Sequence, residues 1–397
     1  YKRQADRREP GRPVPTGPNV LLVTIDTLRA DHLGAYGASG VETPALDGLA
    51  AEGVLFETAI AATPVTLPSH ASILTGMTPP RHAVRQNGIF RLDESHETLA
   101  ERFRDAGYDT GAVVGAIVLD ARYGLDQGFD FYDVTMSSRR ASETGYPERS
   151  AEEVTDVALR WLGARERRFF LWLHYYDPHA AYQPPVSFNE RFAGRPYDGE
   201  IAYVDAQIER VFRALRRSGE WDRTLVVATS DHGESLGEHG EHTHGYTLYD
   251  AVLKVPLVLR GPGIPAARRV PEVVSAIDLA PTILARAGLA PLADADGRDL
   301  SPLWEADSGF EERPAYAETL ATQLDHGWAP LFALRSDRHL YVRAPRAELY
   351  AVEQDPRQLA NLLEDPSQAA AEAAAGLDQG LDTELARERE ANRLALD

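Results

Sequence analysis

Short, nearly unbroken apolar runs alternate along the chain with longer stretches whose apolar positions recur at helical spacing. Asn19 to Asp26 (NVLLVTID), Val54 to Ala61, Tyr108 to Val114, Arg168 to His174 (RFFLWLH), Asp222 to Ser230 (DRTLVVATS) and Val255 to Leu259 are of the first kind. A run that is apolar on both faces and too short for a helix marks a strand buried in a parallel sheet. The second kind comprises Thr43 to Gly53, Glu97 to Gly107, Ser150 to Ala164 with Val154, Val157, Trp161 and Leu162 facing inward, Glu200 to Ser218, and Ile277 to Ala287 with Gly288 after it. These predict helices, closed where a glycine follows. Such alternation predicts an α/β fold with one doubly wound, layered sheet rather than several small domains. From about Arg313 the texture changes. Ala315 to Thr319, Leu331 to Arg335 and Leu340 to Arg343 predict a small antiparallel sheet, and the Ala- and Glu-rich tail from Asp365 a surface helix.

Ligands of open α/β sheets sit at the carboxyl ends of the strands, and that edge gathers chemistry here. Asp26 closes the first run, His174 closes the Arg168 run and leads into Tyr175-Tyr-Asp177-Pro-His179, and Asp231-His232 follows Ser230. A single strand-end Asp caps a turn as readily as it binds a ligand. Several strand ends that each deliver Asp or His are explained more economically by one convergent site. Asp231 to Gly245 (DHGESLGEHGEHTHG) reads as a loop in which His239 and His242 are solvated surface. His232, beside a strand-end Asp, differs: together they offer the imidazole nitrogen and carboxylate oxygen that a divalent cation takes. Thr63 to Gly76 (TPVTLPSHASILTG) places the Thr66 hydroxyl at the start of a helix. Free N–H groups and the positive dipole end hold an anion there, the geometry of a nucleophile facing a phosphate or sulfate ester. A plain N-cap role for Thr66 or Ser69 is the alternative.

Composition narrows the partners. The 397 residues carry 41 Lys and Arg against 61 Asp and Glu, a formal charge of −20 that argues against a nucleic-acid duplex or an anionic membrane as partner. A protein this acidic that acts on anions needs local positive charge, which a bound metal ion supplies. The absence of cysteine excludes disulfides and thiolate metal sites. No apolar run approaches the roughly 20 residues of a membrane span. The polar, Arg- and Pro-rich lead from Lys2 to Pro18 reads as a disordered linker behind a processed or truncated N-terminus.

The segments NVLLVTIDTLRADHLGAYG, ETPALDGLAAEGVLFETA, TLPSHASILTG, DHGESLGEHG with LYDAVLKVPLVL, and AELYAVEQDPRQLANLLED together resemble the sulfatase branch of the alkaline phosphatase superfamily, in family order from about Asn19 to about Asp365. The resemblance implies a mixed sheet between helical layers with a smaller C-terminal antiparallel sheet. The expected divisions are a lead over 1–18, a catalytic α/β domain over 19–312, a small-sheet subdomain over 313–365 and a helical tail over 366–397. Carried over residue by residue, Asp26 matches the first of two adjacent family acids, with Thr27 in place of the second, and Asp231-His232 matches the later metal pair. The frame Cys-x-Pro-x-Arg, whose Cys becomes formylglycine in sulfatases, reads Thr66-Leu-Pro68-Ser-His70. The family's Gly-Lys-Trp-His-Leu-Gly segment aligns with Gly115-Ala-Ile-Val-Leu-Asp120, without its Lys and His, and a later family lysine is replaced by His244. A threonine at the nucleophile position is similar to the phosphodiesterase and phosphoethanolamine transferase relatives.

The resemblance implies a metal-dependent hydrolase of phosphate diesters or phosphonate monoesters. Asp26, Asp231, His232 and the Thr66 oxygen are expected to bind one divalent cation, Zn²⁺ or Mn²⁺ ahead of Ca²⁺ or Mg²⁺, and Thr66 to pass through a phospho-threonine intermediate. His70, His179 and His244 are expected to hold non-bridging oxygens or protonate the leaving group. Asn87 and His174 are further substrate-binding candidates, and for His174 a buried core histidine is the competing reading. Asp177, His179 and His244 form a lesser candidate for a second metal. Phosphoethanolamine-type transfer, sulfate ester hydrolysis without formylglycine, and a non-catalytic anion-binding scaffold are the other readings. The expected partner is an anionic ester, its identity set by loops such as Met136 to Tyr146 and Pro184 to Tyr197, and the family tendency favours a periplasmic or extracellular location.

Overall fold

A computed structural model describes residues 13–136, 149–305 and 310–394. The main sheet contains β1 (Asn19–Ile25), β2 (Val54–Ile60), β3 (Asp109–Val114), β4 (Phe131–Asp133), β5 (Phe169–Tyr175), β6 (Thr224–Ser230), β7 (Lys254–Arg260) and β8 (Arg268–Ser275) in the order β4-β3-β5-β1-β6-β7-β2-β8. All neighbours run parallel except β7, which is antiparallel to both β6 and β2. A second sheet, β9 (Ala315–Thr319), β10 (Leu331–Arg335), β11 (His339–Arg343) and β12 (Glu348–Ala351), is an antiparallel meander. The fold is thus the mixed α/β sheet with a small antiparallel sheet that the sequence leads one to expect.

The apolar runs are central because both of their faces are covered. Leu21, Val23, Leu171 and Leu173 face the helices Pro44–Ala51, Ala151–Ala164 and Pro196–Arg217. Val20, Leu22, Phe170 and Trp172 face the layer that holds the helices Thr66–Thr75 and Leu279–Ala287. Each such side chain contributes about 1.5–3 kcal/mol on burial. The small sheet joins this second layer through Ala315, Ala317, Ala333 and Val342. Its other face is covered by the helix Gln368–Leu394 through Ala370, Ala374 and Leu381.

Strands that the apolar pattern does not announce lie at edges or are short. β8 contains an exposed Pro271 and exposes Arg268 and Arg269, as an edge strand permits, because a missing N–H there breaks no central ladder. β4 and β12 are only 3 and 4 residues long. The expected Glu97 to Gly107 helix is trimmed to Leu99–Asp105 by a capping box between Thr98 and Glu101. Of the lead expected to be disordered, residues 1–12 lie outside the described residues, whereas the Gly17 carbonyl accepts a hydrogen bond from Arg168. Most of the Met136 to Tyr146 loop also lies outside the described residues. No helix among the described residues is long and apolar enough to cross a membrane.

Candidate active site

Strand register does most of the assembly. Thr24 of β1 lies opposite His174 of β5, and Ile25 lies opposite both Tyr175 and Ser230 of β6. The chain therefore leaves the three strands at one level, and Asp26, His174 and Asp231-His232 emerge side by side. The Asp26 N–H extends the ladder by donating to the Tyr175 carbonyl at 2.8 Å. Thr27 then turns the chain with φ of 55°, a left-handed conformation that costs a β-branched residue on the order of 1–3 kcal/mol. It is held there because its N–H donates to Asp231 Oδ1 (3.3 Å), its hydroxyl to the Pro178 carbonyl (2.8 Å), and Tyr197 donates to its carbonyl (2.6 Å).

Both Asp26 oxygens and Asp231 Oδ2 are buried without a hydrogen-bond partner. His232 Nδ1 pairs with the Gly233 carbonyl at 3.0 Å, which puts its proton on Nδ1 and leaves a lone pair on Nε2. That Nε2 lies 3.5 Å from Asp231 Oδ2, 3.8 Å from Asp26 Oδ1 and 3.4 Å from the Thr66 hydroxyl. Burying charged oxygens that no hydrogen bond offsets is costly, by several kcal/mol for an unpaired carboxylate such as that of Asp26. Burial raises the pKa of both, and the Asp26 charge adds to the rise at Asp231. Burial also works against charge on His232, but the Asp231 and Asp26 carboxylates outweigh it and raise its pKa. Carboxylate oxygens, an imidazole lone pair and a hydroxyl that converge with unspent acceptors fit a divalent cation.

Thr66 opens the helix Thr66–Thr75 and is almost fully buried. Asn87 Oδ1 accepts the Leu67 N–H at 2.8 Å, so Asn87 caps the free end of this helix. His70 sits one turn along. Its Nδ1 donates to the Thr66 carbonyl at 2.8 Å, and its Nε2 accepts from Thr24 Oγ1 at 3.0 Å, which in turn accepts from Trp172 Nε1 at 2.9 Å. With both nitrogens committed and burial pushing its pKa down to about 3, His70 is a neutral strut beneath Thr66. His174 is also wholly buried. Its Nδ1 accepts the Gly115 N–H at 3.3 Å, so its proton is on Nε2, 3.3 Å from Asp26 Oδ2, and burial lowers its pKa to about 4.

His179 and His244 are the partly exposed histidines of the site. Their rings meet edge to face at 5.0 Å, and His244 lies 4.4 Å from the His232 ring. His179 Nδ1 donates to the Ala180 carbonyl at 2.6 Å, and burial lowers its pKa to about 4. His244 Nδ1 lies 3.0 Å from Glu234 Oε1, while the Tyr182 hydroxyl donates to Glu234 Oε2 at 3.1 Å. Burial pushes the Glu234 carboxyl up to about 7. The groupings of possible metal ligands among the described residues are Asp26-Asp231-His232 and His70-His174-Asp231, and the second shares Asp231 but relies on the committed nitrogens of His70. Asp177, His179 and His244 join neither grouping.

The family model for sulfatases matches residues 18–289, the whole main sheet and its site. The chain belongs to the Sulfatase family. A model for the C-terminal part of N-sulphoglucosamine sulphohydrolase matches residues 237–387. Among curated relatives, the uncharacterized sulfatase YidJ of Escherichia coli (strain K12) is 26% identical, over 88% of this chain and 83% of its own. The multifunctional alkaline phosphatase superfamily protein PehA of Trinickia caryophylli is 27% identical, over 89% of this chain and 93% of its own. Among solved structures, phosphonate monoester hydrolase of Agrobacterium radiobacter superimposes with a TM-score of 0.81 at 26% identity, covering 94% of this chain and 96% of its own. This chain is a hydrolase of sulfatase-like type. Thr24, Trp172 and Glu234 are parts of the site that the sequence reading did not single out. Glu234, two positions after His232, carried a signal; Thr24 and Trp172 read only as members of apolar runs.

Proposed function

We propose that this protein hydrolyses phosphate diesters or phosphonate monoesters with the Thr66 hydroxyl as nucleophile. The observation that carries the reading is the Thr66 hydroxyl itself, at a helix N-terminus and 3.4 Å from His232 Nε2, beside carboxylate oxygens that lack partners. The likeness to phosphonate monoester hydrolase supports phosphorus as an attacked centre. Asp26, Asp231 and His232 with the Thr66 hydroxyl would hold one divalent cation, which when bound neutralises charge on the ester and lowers the hydroxyl pKa.

Thr66 Oγ1, its proton released to solvent, attacks phosphorus as the bond to the leaving alcohol breaks; water later cleaves the resulting phospho-threonine, its oxygen staying on phosphorus and one of its protons restoring the Thr66 hydroxyl. His70 fixes the Thr66 backbone through its carbonyl, and Asn87 does so through the Leu67 N–H. We assign the proton of the leaving alcohol to His244, backed by the Glu234 carboxylate on its Nδ1. Burial, and the neighbouring His232, push the His244 pKa well down in the free site, and the charge of an incoming anionic ester pushes it back up. His179, whose ring meets that of His244, is assigned to the substrate. Sulfate ester hydrolysis is the second reading, favoured by the sulfatase family model.

The test is turnover of nitrophenyl phosphate diester, phosphate monoester, phosphonate and sulfate by metal-stripped protein reloaded with Zn²⁺, Mn²⁺ or Ca²⁺, with Thr66→Ala alongside. Phosphorus-ester turnover that disappears in Thr66→Ala supports the proposal. Turnover of the sulfate ester alone, or full activity in Thr66→Ala, overturns it.

A further inference from the structure

Beyond His244 in the chain, Tyr246 joins His326 and Trp328 in a ladder of rings. Tyr246 follows His244 by two positions and lies 5.2 Å from the His326 ring, which lies 4.8 Å from the Trp328 ring, with interplanar angles of 33° and 35°. The outermost ring is bare: Trp328 is 64% exposed, whereas the other tryptophans, Trp161, Trp172, Trp221 and Trp304, are buried or half-buried. The ladder is bolted to the site. The Thr319 hydroxyl donates to the Gly245 carbonyl, and Asp325 Oδ2 accepts from the Tyr246 hydroxyl (3.2 Å) and from the Gln86 amide (3.4 Å), the residue before Asn87. A large aromatic left in water at the end of such a stack leaves a face open to a further ring, which offset stacking favours beyond simple burial. The charge bonded into the ladder is the carboxylate of Asp325, which disfavours a second anionic group at this place.

We infer that the Tyr246, His326 and Trp328 ladder is a leaving-group subsite that takes the flat face of an uncharged ring, aryl or pyranose, carried by the ester's alcohol. This rests on the ester hydrolase reading for the position of the alcohol. Binding is measured on metal-loaded Thr66→Ala protein with phenyl methyl phosphate, glucosyl methyl phosphate and dimethyl phosphate, reading tryptophan emission. Because Trp328 is the exposed indole, a ring ester quenches emission saturably, dimethyl phosphate does not, and Trp328→Phe loses the signal. On the active protein, Trp328→Ala raises KM for the ring ester about two- to tenfold at unchanged kcat and leaves dimethyl phosphate unaffected. The ring that shows both effects identifies aryl or pyranose. Turnover of ring esters without quenching, and with KM unmoved by Trp328→Ala, overturns the subsite and leaves the hydrolase reading intact. Quenching without turnover of any ester supports the subsite and counts against the hydrolase reading instead.

Discussion

His70 Nδ1 lies 2.8 Å from the carbonyl oxygen of Thr66, and its Nε2 lies 3.0 Å from the Thr24 hydroxyl. The chain Trp172, Thr24, His70, Thr66 thus runs from the core of the sheet to the proposed nucleophile, with each buried donor spent on the next acceptor. Thr24→Val keeps the shape but strands the Trp172 N–H and His70 Nε2. The expected loss is about 1–3 kcal/mol for each stranded group, read by urea unfolding. A fall in kcat with little change in KM accompanies it, and Thr24→Ser restores both. A Thr24→Val protein of wild-type kcat would show that this chain does not position Thr66.

Asp26 and Asp231 make the apo site a liability that a cation removes. Chelation is expected to lower the melting temperature, and a cation at 100 times its Kd to return about 2.7 kcal/mol. Asp26→Asn removes one buried carboxylate whose oxygens have no partner, so the chelated variant should melt above the chelated wild type. It should also lose most of the cation-dependent gain. Calorimetry with and without chelator measures both, and an undiminished gain in Asp26→Asn would remove Asp26 from the ligand set.

Much of this site is legible in the amino-acid sequence, because strand-end polar residues on apolar runs advertise themselves. Asp26, Asp231 and His232 stand out as charges where the hydrophobic pattern stops, and parallel register then brings them together. Legibility fails where a polar group is enclosed by apolar neighbours. Thr24 lies inside NVLLVTI, and only the pairing with β5 and the helix above reveals that its hydroxyl joins Trp172 to His70. His70 was expected to touch substrate, since spacing gives a residue's place on a helix but not what its nitrogens find. β8 was missed for a related reason: an edge strand tolerates Pro271 and exposed charges, so its sequence lacks the pattern of a central one.

Glu234 gives the pH dependence a defined sign. Burial holds its carboxyl up at about 7, and the proposed role on His244 Nδ1 needs the carboxylate. Turnover should therefore rise with pH through about 7. Glu234→Gln keeps the size and a carbonyl acceptor but cannot ionise, so kcat should drop about 10²–10⁴-fold and this rise should vanish. A pH–kcat profile of both proteins decides, and an unchanged limb in Glu234→Gln would assign that titration to another group.

Asp205 carries a separate pH effect, remote from the chemistry. From the helix Pro196–Arg217 it accepts the first N–H groups of the helix Pro44–Ala51, Ala45 at 3.0 Å and Leu46 at 2.9 Å. Burial outweighs these bonds and pushes its carboxyl up from 3.8 to about 7. Between those pH values the folded protein keeps a proton that the unfolded chain has lost, so this group's contribution falls as pH rises and levels off above about 7. The interval corresponds to at most about 4 kcal/mol. Asp205→Asn retains one acceptor for the helix and cannot ionise. Urea unfolding of both proteins at about pH 5 and about pH 8 should show the wild type losing stability relative to the variant at the higher pH. An equal difference at both would mean that the two N–H donors hold Asp205 ionised throughout.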